Sequence, residues 1–342
     1  MAGKFRKIAT EEAFSIPEVA EELKRVGRSP NENSDTPLVR GIYDSQPGYG
    51  DMKFLDGLLD LEGVRLREMD AHGVDVQILS LTAPGVQMFD ADTACELATL
   101  ANDRLAEVIA RHPTRFAGLA AFAPQAPKRA VKEMERGIRQ LKLNGFILNS
   151  HTHDEYLDDP KYWPILECAE ALDRCIYIHP RGPVYGLSGP MHHYGMDSAM
   201  WAYGVEVGTH AVRMMASGLF DRFPKLKICI GHMGEAVHFW SWRITFMNSR
   251  AQKIGRAPKT KLTIDEYFKR NFVITTSGAE DPLALEFSVK KLGVDNVMWA
   301  IDYPYQPTAP AVAFMDAAPL SDADKAKVYG GNAERIFHIG RR

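Results

Sequence analysis

Short apolar runs recur along the chain, and segments whose apolar residues have helical spacing separate them. The runs that the pattern predicts as strands lie near residues 7–12, 76–81, 115–122, 145–149, 175–179, 226–231, 272–276 and 297–302. The predicted helices lie near 16–30, 54–71, 90–111, 127–142, 160–172, 205–218, 235–249 and 281–292. Strands that alternate with helices indicate a parallel sheet, and about eight such units favour a closed (β/α)₈, TIM-like barrel.

The domain organisation follows from the absence of a composition break between these units. We predict one domain over residues 1–342, with a helical C-terminal tail from about residue 309. A stretch at about residues 29–50 is rich in Pro, Gly, Asn, Ser and Asp, and it is predicted to be a loop excursion that serves as a lid or contact arm. An open, doubly wound α/β sheet is the alternative fold, but no GxGxxG follows the first strand.

Four of the predicted strands end on a side chain that can bind a metal or move a proton. The first ends at Glu11-Glu12, and the others end at His179, His232 and Asp302. Barrel enzymes place their active site at the carboxyl ends of the strands. These four distant segments are therefore predicted to meet at one site, although a core histidine, a helix cap or a rim salt bridge would explain each residue singly.

The pattern of the first strand does not decide which of its two glutamates faces the barrel interior. Residues i and i+2 of a strand share a face, so Glu11 lies with Ala13, and Thr10 lies with Glu12. Either glutamate could therefore point into the barrel.

One glutamate, one histidine and one aspartate form an oxygen-rich ligand set. Such a set suits Mn²⁺ or Mg²⁺, and Zn²⁺ is the alternative because it also accepts imidazole and carboxylate ligands. Glu235 lies close to His232 in the sequence GHMGE, a predicted strand-to-helix turn.

Other motifs carry weaker signals. Thr275-Thr276-Ser277-Gly278 lacks a GxSxG frame for a nucleophile, and Gly330-Gly331-Asn332 before a helix is more typical of a turn than of a phosphate site. Histidines at 151, 153, 192 and 193 are predicted to be pocket or surface residues. Aromatic residues near the strand ends fit a pocket for a flat substrate: Phe14, Tyr177, Trp201, Tyr203, Trp240, Trp242, Tyr303 and Tyr305.

The composition argues against two classes of binding partner. A formal net charge of -3 gives no reason to expect nucleic acid or an anionic membrane, and no apolar run is long enough to span a bilayer. The four cysteines have no CxxC spacing, so we expect reduced thiols in a cytoplasmic protein.

Several segments together resemble the amidohydrolase-2 branch of the amidohydrolase superfamily, and within it the non-oxidative o-hydroxybenzoate decarboxylases. They are IATEEAF (8–14), YIHP (177–180), SGLFDRFP (217–224), GHMGE (231–235) and IDYPY (301–305). NSHT (149–152) and GVEVG (204–208) add a similarity to the decarboxylases that act on 5-carboxyvanillate. The resemblance implies a (β/α)₈ barrel, a Mn²⁺-type metal, a small aromatic carboxylic acid as substrate, and a homodimer or homotetramer.

The resemblance also implies roles for individual residues. Glu11, His179 and Asp302 would bind the metal, and His232 and Glu235 would lie beside the reacting centre with Asp302 as proton donor. Arg243 would face a substrate anion, and we expect Arg181, Tyr305 and Phe14 to line the substrate pocket. The implied reaction is protonation of the ring carbon that bears the carboxylate, followed by release of CO₂.

Two positions depart from the family pattern. Ala13 replaces the second histidine of the His-x-His motif that many amidohydrolases carry on the first strand. Where the 5-carboxyvanillate decarboxylases have an arginine that reaches a neighbouring subunit, this chain has Gly48, Tyr49 or Gly50, with no arginine nearer than Arg40.

Alternative functions are a metal-dependent hydrolase of a lactone or amide on the same scaffold, a metal-free barrel that binds a ligand without catalysis, and a phosphate-binding barrel enzyme.

Overall fold

The computed structural model describes residues 5–30, 32–44 and 53–340. Its centre is a sheet of eight parallel strands that pair in the order β1 to β8. The strands are β1 Ile8–Phe14, β2 Val76–Leu81, β3 Phe116–Ala121, β4 Gly145–Asn149, β5 Ile176–His179, β6 Ile228–Ile230, β7 Phe272–Thr275 and β8 Val297–Met298.

Backbone hydrogen bonds between β1 and the segment after β8 bring the two edges of the sheet together. The Thr10 amide donates to the Trp299 carbonyl at 3.2 Å, and the Ala13 amide donates to the Tyr303 carbonyl at 2.8 Å. The predicted (β/α)₈ barrel is therefore confirmed.

Helices cover the outside of the barrel and form the tail. They are α1 Pro17–Gly27, α2 Thr36–Tyr43, α3 Phe54–Leu59, α4 Val64–His72, α5 Ala91–Arg111, α6 Pro127–Arg139, α7 Trp163–Ala171, α8 Tyr185–Ser188, α9 Ala202–Ala216, α10 Leu219–Arg222, α11 Val237–Lys253, α12 Ile264–Asn271, α13 Pro282–Leu292, α14 Thr308–Ala317, α15 Asp322–Ala326 and α16 Asn332–Ile336. Nearly all strand residues are buried, because one face fills the barrel and the other packs against these helices.

The helices differ from the sequence prediction at several points, and the short α8 and α10 were not predicted. The excursion contains α2, so it is not entirely a loop. The single helix predicted over 54–71 is two helices, because the Asp60 carboxylate accepts hydrogen bonds from the amides of Gly63 and Val64 and starts α4 anew. Helix α12 was not predicted, although Thr263 and Glu266 form a capping box at its start.

The excursion is attached to the barrel by a buried ion pair. Asp35 accepts hydrogen bonds from the Arg181 guanidinium and from the Gly182 amide, just beyond the end of β5. Residues 45–52, and with them the departure noted at Gly48, Tyr49 or Gly50, lie outside the described residues.

The four cysteines all lie within the described ranges and are free thiols, as predicted. Among the helices that the structure describes, none combines the length and apolarity needed to cross a membrane. The cytoplasmic location and the single-domain organisation stay predictions.

Candidate active site

Glu11 lies inside the barrel, at a register irregularity of β1 between Ala9 and Glu12. Its Oε2 accepts hydrogen bonds from the Tyr177 hydroxyl and, at 2.9 Å, from the Thr275 hydroxyl. Its Oε1 is buried and has no hydrogen-bond partner among the described residues. That oxygen lies 3.5 Å from His179 Nε2 and 3.8 Å from His232 Nε2.

Glu12 points the other way, into the seam between β1 and the segment after β8. Its carboxylate accepts hydrogen bonds from the amides of Ile301 and Tyr303, at 3.0 and 3.1 Å. Burial raises the pKa of Glu12 to about 8, against the opposing effect of these bonds and of Arg65. Glu12 is therefore a structural residue, and Glu11 is the glutamate of the site.

His232 and Glu235 lie on a turn with unusual backbone geometry directly after β6. Five consecutive residues, 232–236, have left-handed φ angles between 48° and 65°. For a residue other than glycine, this conformation costs about 1–3 kcal/mol. It is therefore found only where the surrounding structure enforces it. The turn brings His232 Nδ1 within 2.8 Å of Glu235 Oε1 and directs Nε2 towards Glu11 and Asp302.

His179 and Asp302 complete the cluster. His179 Nδ1 lies 2.7 Å from the Pro180 carbonyl, which fixes the ring with Nε2 facing Glu11. Asp302 has a φ of 76°, and its backbone amide donates to the Glu11 carbonyl at 3.1 Å. Its Oδ2 lies 3.8 Å from His232 Nε2.

The electrostatics of the cluster favour shared protons. Burial raises the pKa of Asp302, although the hydrogen bond and charge of His232 oppose this effect. Burial would also raise the pKa of Glu11, but His232, His179 and the Tyr177 hydroxyl lower it on balance. Burial would lower the pKa of His232, yet Glu235, Glu11 and Asp302 together hold it well above its ordinary value.

These side chains fit a metal ion. Glu11, His232 and Asp302 each offer a ligand atom, and the three atoms lie within 4.8 Å of one another. His179 Nε2 adds a fourth donor on the Glu11 side. A buried carboxylate oxygen without a partner is costly unless a cation or a donor compensates it. Of the predicted ligands, Glu11 and Asp302 lie in this triad together with His232, whereas His179 lies beside Glu11, and its role as a ligand stays a prediction.

A cavity of about 800 Å³ opens beside His232 and Glu235. Its walls include aromatic and apolar side chains from α9, the segment before it and α11: Met200, Trp201, Tyr203 and Trp240. Gly278, after β7, lines the cavity next to Asp302 and His232. The cavity therefore joins the titratable cluster to a wall suited to a flat ring.

The predicted substrate residues lie in different places. Tyr305 is half-buried, and its hydroxyl lies 2.7 Å from the Thr82 hydroxyl. Phe14 is packed in the core, and Arg243 is exposed on α11. Arg181 is buried in its ion pair with Asp35, so its charge is already neutralised, and these contacts do not support binding of a substrate anion. The substrate roles of these residues stay predictions.

The weaker motifs have structural explanations. A Cβ at Gly330 would lie 2.6 Å from the Arg6 carbonyl oxygen, so close packing accounts for that glycine. Of the Thr275–Gly278 motif, Thr275 serves as a hydrogen-bond donor to Glu11. His151 Nε2 donates a hydrogen bond to the Gly182 carbonyl, 2.9 Å away, and the side chain is part of the buried framework.

Sequence reasoning missed one contributor to the site, Tyr177, and did not predict the burial of Glu206. Tyr177 was considered only as a pocket aromatic, although it lies two residues before His179 and therefore shares its inward face. Glu206 is fully buried on α9 and accepts hydrogen bonds from Ser150, Tyr156 and the Val184 amide. No local pattern distinguishes this glutamate from a solvated helix residue.

A (β/α)₈ barrel with carboxylates and imidazoles gathered at the carboxyl ends of its strands defines the class of metal-dependent barrel enzymes. The family model described as amidohydrolase matches residues 56–339. The chain belongs to this amidohydrolase family.

Individual relatives carry more specific names. A γ-resorcylate decarboxylase from Polaromonas sp. (strain JS666) is 38% identical over 83% of this chain and 89% of its own length. The crystal structure of 5-carboxyvanillate decarboxylase from Sphingomonas paucimobilis is 53% identical, with a TM-score of 0.96 over 98% of this chain and 100% of that one. The Novosphingobium aromaticivorans 5-carboxyvanillate decarboxylase, in complex with manganese and 4-hydroxy-3-methoxy-5-nitrobenzoic acid, is 39% identical, with a TM-score of 0.94 over 98% and 96% of the two chains.

Proposed function

We propose that this protein removes CO₂ from an aromatic acid with a hydroxyl ortho to its carboxylate, of the 5-carboxyvanillate type. The observation that carries the proposal is the convergence of Glu11, His179, His232 and Asp302 beside an aromatic-walled cavity. The 53% identity to a 5-carboxyvanillate decarboxylase over nearly the whole chain supports this substrate class.

We propose Mn²⁺ as the bound metal, held by Glu11, His179 and Asp302, with His232 within reach of the same position. Manganese is present in the Novosphingobium aromaticivorans relative, and two carboxylates with imidazole suit that ion. When bound, the metal would act as a Lewis acid and template that orients the carboxylate and the ortho oxygen of the substrate.

The chemical difficulty is the aryl anion that direct loss of CO₂ would leave. Protonation of the ring carbon that bears the carboxylate avoids this anion. The electron pair of the breaking carbon–carbon bond then returns to the ring, and CO₂ leaves. The ortho hydroxyl lowers the cost of protonation because it donates electron density into the ring.

Asp302 is the proposed proton donor to that carbon, because its carboxyl group lies beside Gly278 at the wall of the cavity and 3.8 Å from His232 Nε2. His232 lies between Asp302 and Glu235, and its Nδ1 is 2.8 Å from the Glu235 carboxylate. This pair can therefore deliver a proton to Asp302. Arg243 and Tyr305 remain our proposals for contacts to the substrate.

The test combines elemental analysis of the purified protein with ultraviolet spectra of a substrate panel. The panel contains 5-carboxyvanillate, γ-resorcylate and 2,3-dihydroxybenzoate. We expect about one metal ion per chain, loss of the 5-carboxyvanillate spectrum and release of CO₂, and chelation should stop turnover until Mn²⁺ is restored. Bound metal with no turnover of the panel, together with hydrolysis of a lactone or amide, would support the hydrolase instead.

We also propose that the protein forms a homodimer or homotetramer. An aromatic face on α11 and α13 is exposed in the single chain, with Trp242 72% and Phe239 64% exposed. Trp242 stacks on Phe246, and Phe239 contacts Phe287 across the two helices. Large contiguous apolar surfaces of this kind are typical of protein interfaces.

A further inference from the structure

Two hydroxyl groups inside the barrel bind the same oxygen of Glu11. The Tyr177 phenol and the Thr275 hydroxyl both donate to Oε2, and their own oxygens lie 3.0 Å apart. Tyr177 comes from β5, which lies opposite β1 in the barrel, and Thr275 comes from β7, two strands from β1 across β8, so two different strands hold this carboxylate. All three side chains are almost completely buried.

The two oxygens of Glu11 are therefore not equivalent. Oε2 receives two hydrogen bonds, whereas Oε1 has no hydrogen-bond partner among the described residues and faces His179 and His232. A carboxylate whose two oxygens are free can rotate and bind a cation through either oxygen or both. Two buried donors on one oxygen remove that freedom.

Gly231 also restricts the position of the Glu11 carboxylate. A Cβ at this position would lie 2.6 and 2.7 Å from the two Glu11 oxygens, closer than real contacts allow. The carboxylate thus occupies the space that the absent side chain leaves at the end of β6, and its position is defined by packing as well as by hydrogen bonds.

We infer that Tyr177 and Thr275 are positioning residues that hold Glu11 Oε2 and present Oε1 alone to the metal. The inference rests on the proposed metal site and deepens it, because it explains how the barrel selects one ligand atom. Residues that orient a metal ligand typically change metal affinity by about 10–100-fold when they are replaced.

The experiment measures Mn²⁺ affinity of the full-length chain by electron paramagnetic resonance of free Mn²⁺ and by chelator competition. We expect Tyr177→Phe and Thr275→Val each to weaken Mn²⁺ binding by about 10–100-fold. Two matched controls remove a buried hydroxyl elsewhere. Tyr329→Phe loses a phenol bonded to Asp316, and Thr276→Val loses a hydroxyl bonded to the Ala300 carbonyl. Both controls should bind Mn²⁺ like the wild type.

A double-mutant cycle separates positioning from a general structural effect. In a Glu11→Gln background, Tyr177→Phe should cause no further loss of Mn²⁺ affinity, because the carboxylate that it positions is already gone. Additive losses, or wild-type affinity in both single variants, would overturn the inference. Failure of the wild-type protein to bind Mn²⁺ would instead overturn the proposed metal site, so the two failures are distinguishable. If Tyr177→Phe does not fold, Thr275→Val decides the question alone.

Discussion

At the scale of the residue, two adjacent glutamates show how position decides chemistry. Glu11 and Glu12 are both buried, but Glu11 meets two histidines and two hydroxyls, whereas Glu12 meets backbone amides. In the first environment one carboxylate oxygen has no hydrogen-bond partner within the described part of the chain, whereas in the second both carboxylate oxygens accept hydrogen bonds. The same side chain is therefore a candidate ligand at one position and a structural acceptor at the next.

The role of Asp302 can be tested directly. Asp302→Asn keeps the size of the side chain but removes the acid, so we expect turnover to fall by at least about 10²–10⁴-fold, the range that general acid catalysis contributes. Some Mn²⁺ binding should remain, because Glu11 and the histidines are unchanged. The measurement is CO₂ release and bound metal in the same preparation.

Asp295→Asn is the matched control for this change, because it removes a carboxylate from a surface ion pair with Lys327. That variant should turn over at the wild-type rate. An active Asp302→Asn enzyme would exclude Asp302 as the proton donor.

At the scale of the element, the excursion between β1 and β2 depends on one buried ion pair. Arg181 and Asp35 are 4% and 1% exposed, and the Gly182 amide binds the same carboxylate. Removal of one partner leaves the other charge buried and uncompensated. This pair also fixes the segment that follows His179, so the excursion and the site share a support.

We expect Asp35→Ala to lower the free energy of unfolding by about 3–5 kcal/mol, measured by urea denaturation, because the Arg181 charge stays buried alone. Limited proteolysis should also cut residues 28–44 faster than in the wild type. Glu32→Ala is the control, since Glu32 pairs with Arg40 at the surface and is 64% exposed. Equal effects of the two substitutions would contradict the structural role of the buried pair.

Helix α9 carries a histidine whose burial makes stability depend on pH. Burial, with the nearby charges of His151 and Arg213, lowers the pKa of His210 to about 3, whereas the unfolded chain has a value near 6.5. The unfolded state therefore binds the extra proton between these values. The stabilising contribution is present above pH 6.5 and is lost as the pH falls towards 3.

His210→Gln should remove this dependence. The plot of unfolding free energy against pH should become shallower between pH 6 and 4, by up to about 1.4 kcal/mol per pH unit for one proton. Urea denaturation at several pH values measures the slope. An unchanged slope would mean that His210 takes up no proton on unfolding.

At the scale of the whole molecule, the exposed aromatic face of α11 and α13 has no role in a single chain. Phe246 is 46% exposed and Met247 is 47% exposed, beside Trp242 and Phe239. Aromatic side chains at the surface are characteristic of the core of an interface. Arg243 projects from the same helix, so self-association would enclose its charge.

A charge placed on this face tests the proposed oligomer. Trp242→Glu, alone or with Phe246→Glu, should shift the mass measured by light scattering towards the 38.2 kDa of one chain. Val64→Glu is the control, because Val64 is also exposed, at 48%, but lies on α4. A wild-type protein that is already monomeric would contradict the proposal.

The sequence alone predicted the barrel, because the eight predicted strands are apolar runs and the predicted helices between them have helical periodicity. It also located the carboxyl ends of the strands, where His179, His232 and Asp302 lie. Each strand and the residue at its end are local features of the sequence. In a parallel barrel the carboxyl ends of all strands lie at the same end, so these residues come close together.

The strand pattern could not decide which glutamate enters the barrel, although the resemblance implied Glu11. The tertiary structure places Glu11 inside, at a register irregularity of β1 between Ala9 and Glu12, and both glutamates are buried. It also decided that Tyr177 and Thr275 bind Glu11, that Arg181 is paired with Asp35, and that His232 adopts a left-handed turn. Each of these contacts except the turn joins residues far apart in the chain, and the turn is enforced by its surroundings. The hydrophobic pattern of a sequence predicts where each strand and helix lies. It does not predict which side chains from different strands contact one another inside the barrel.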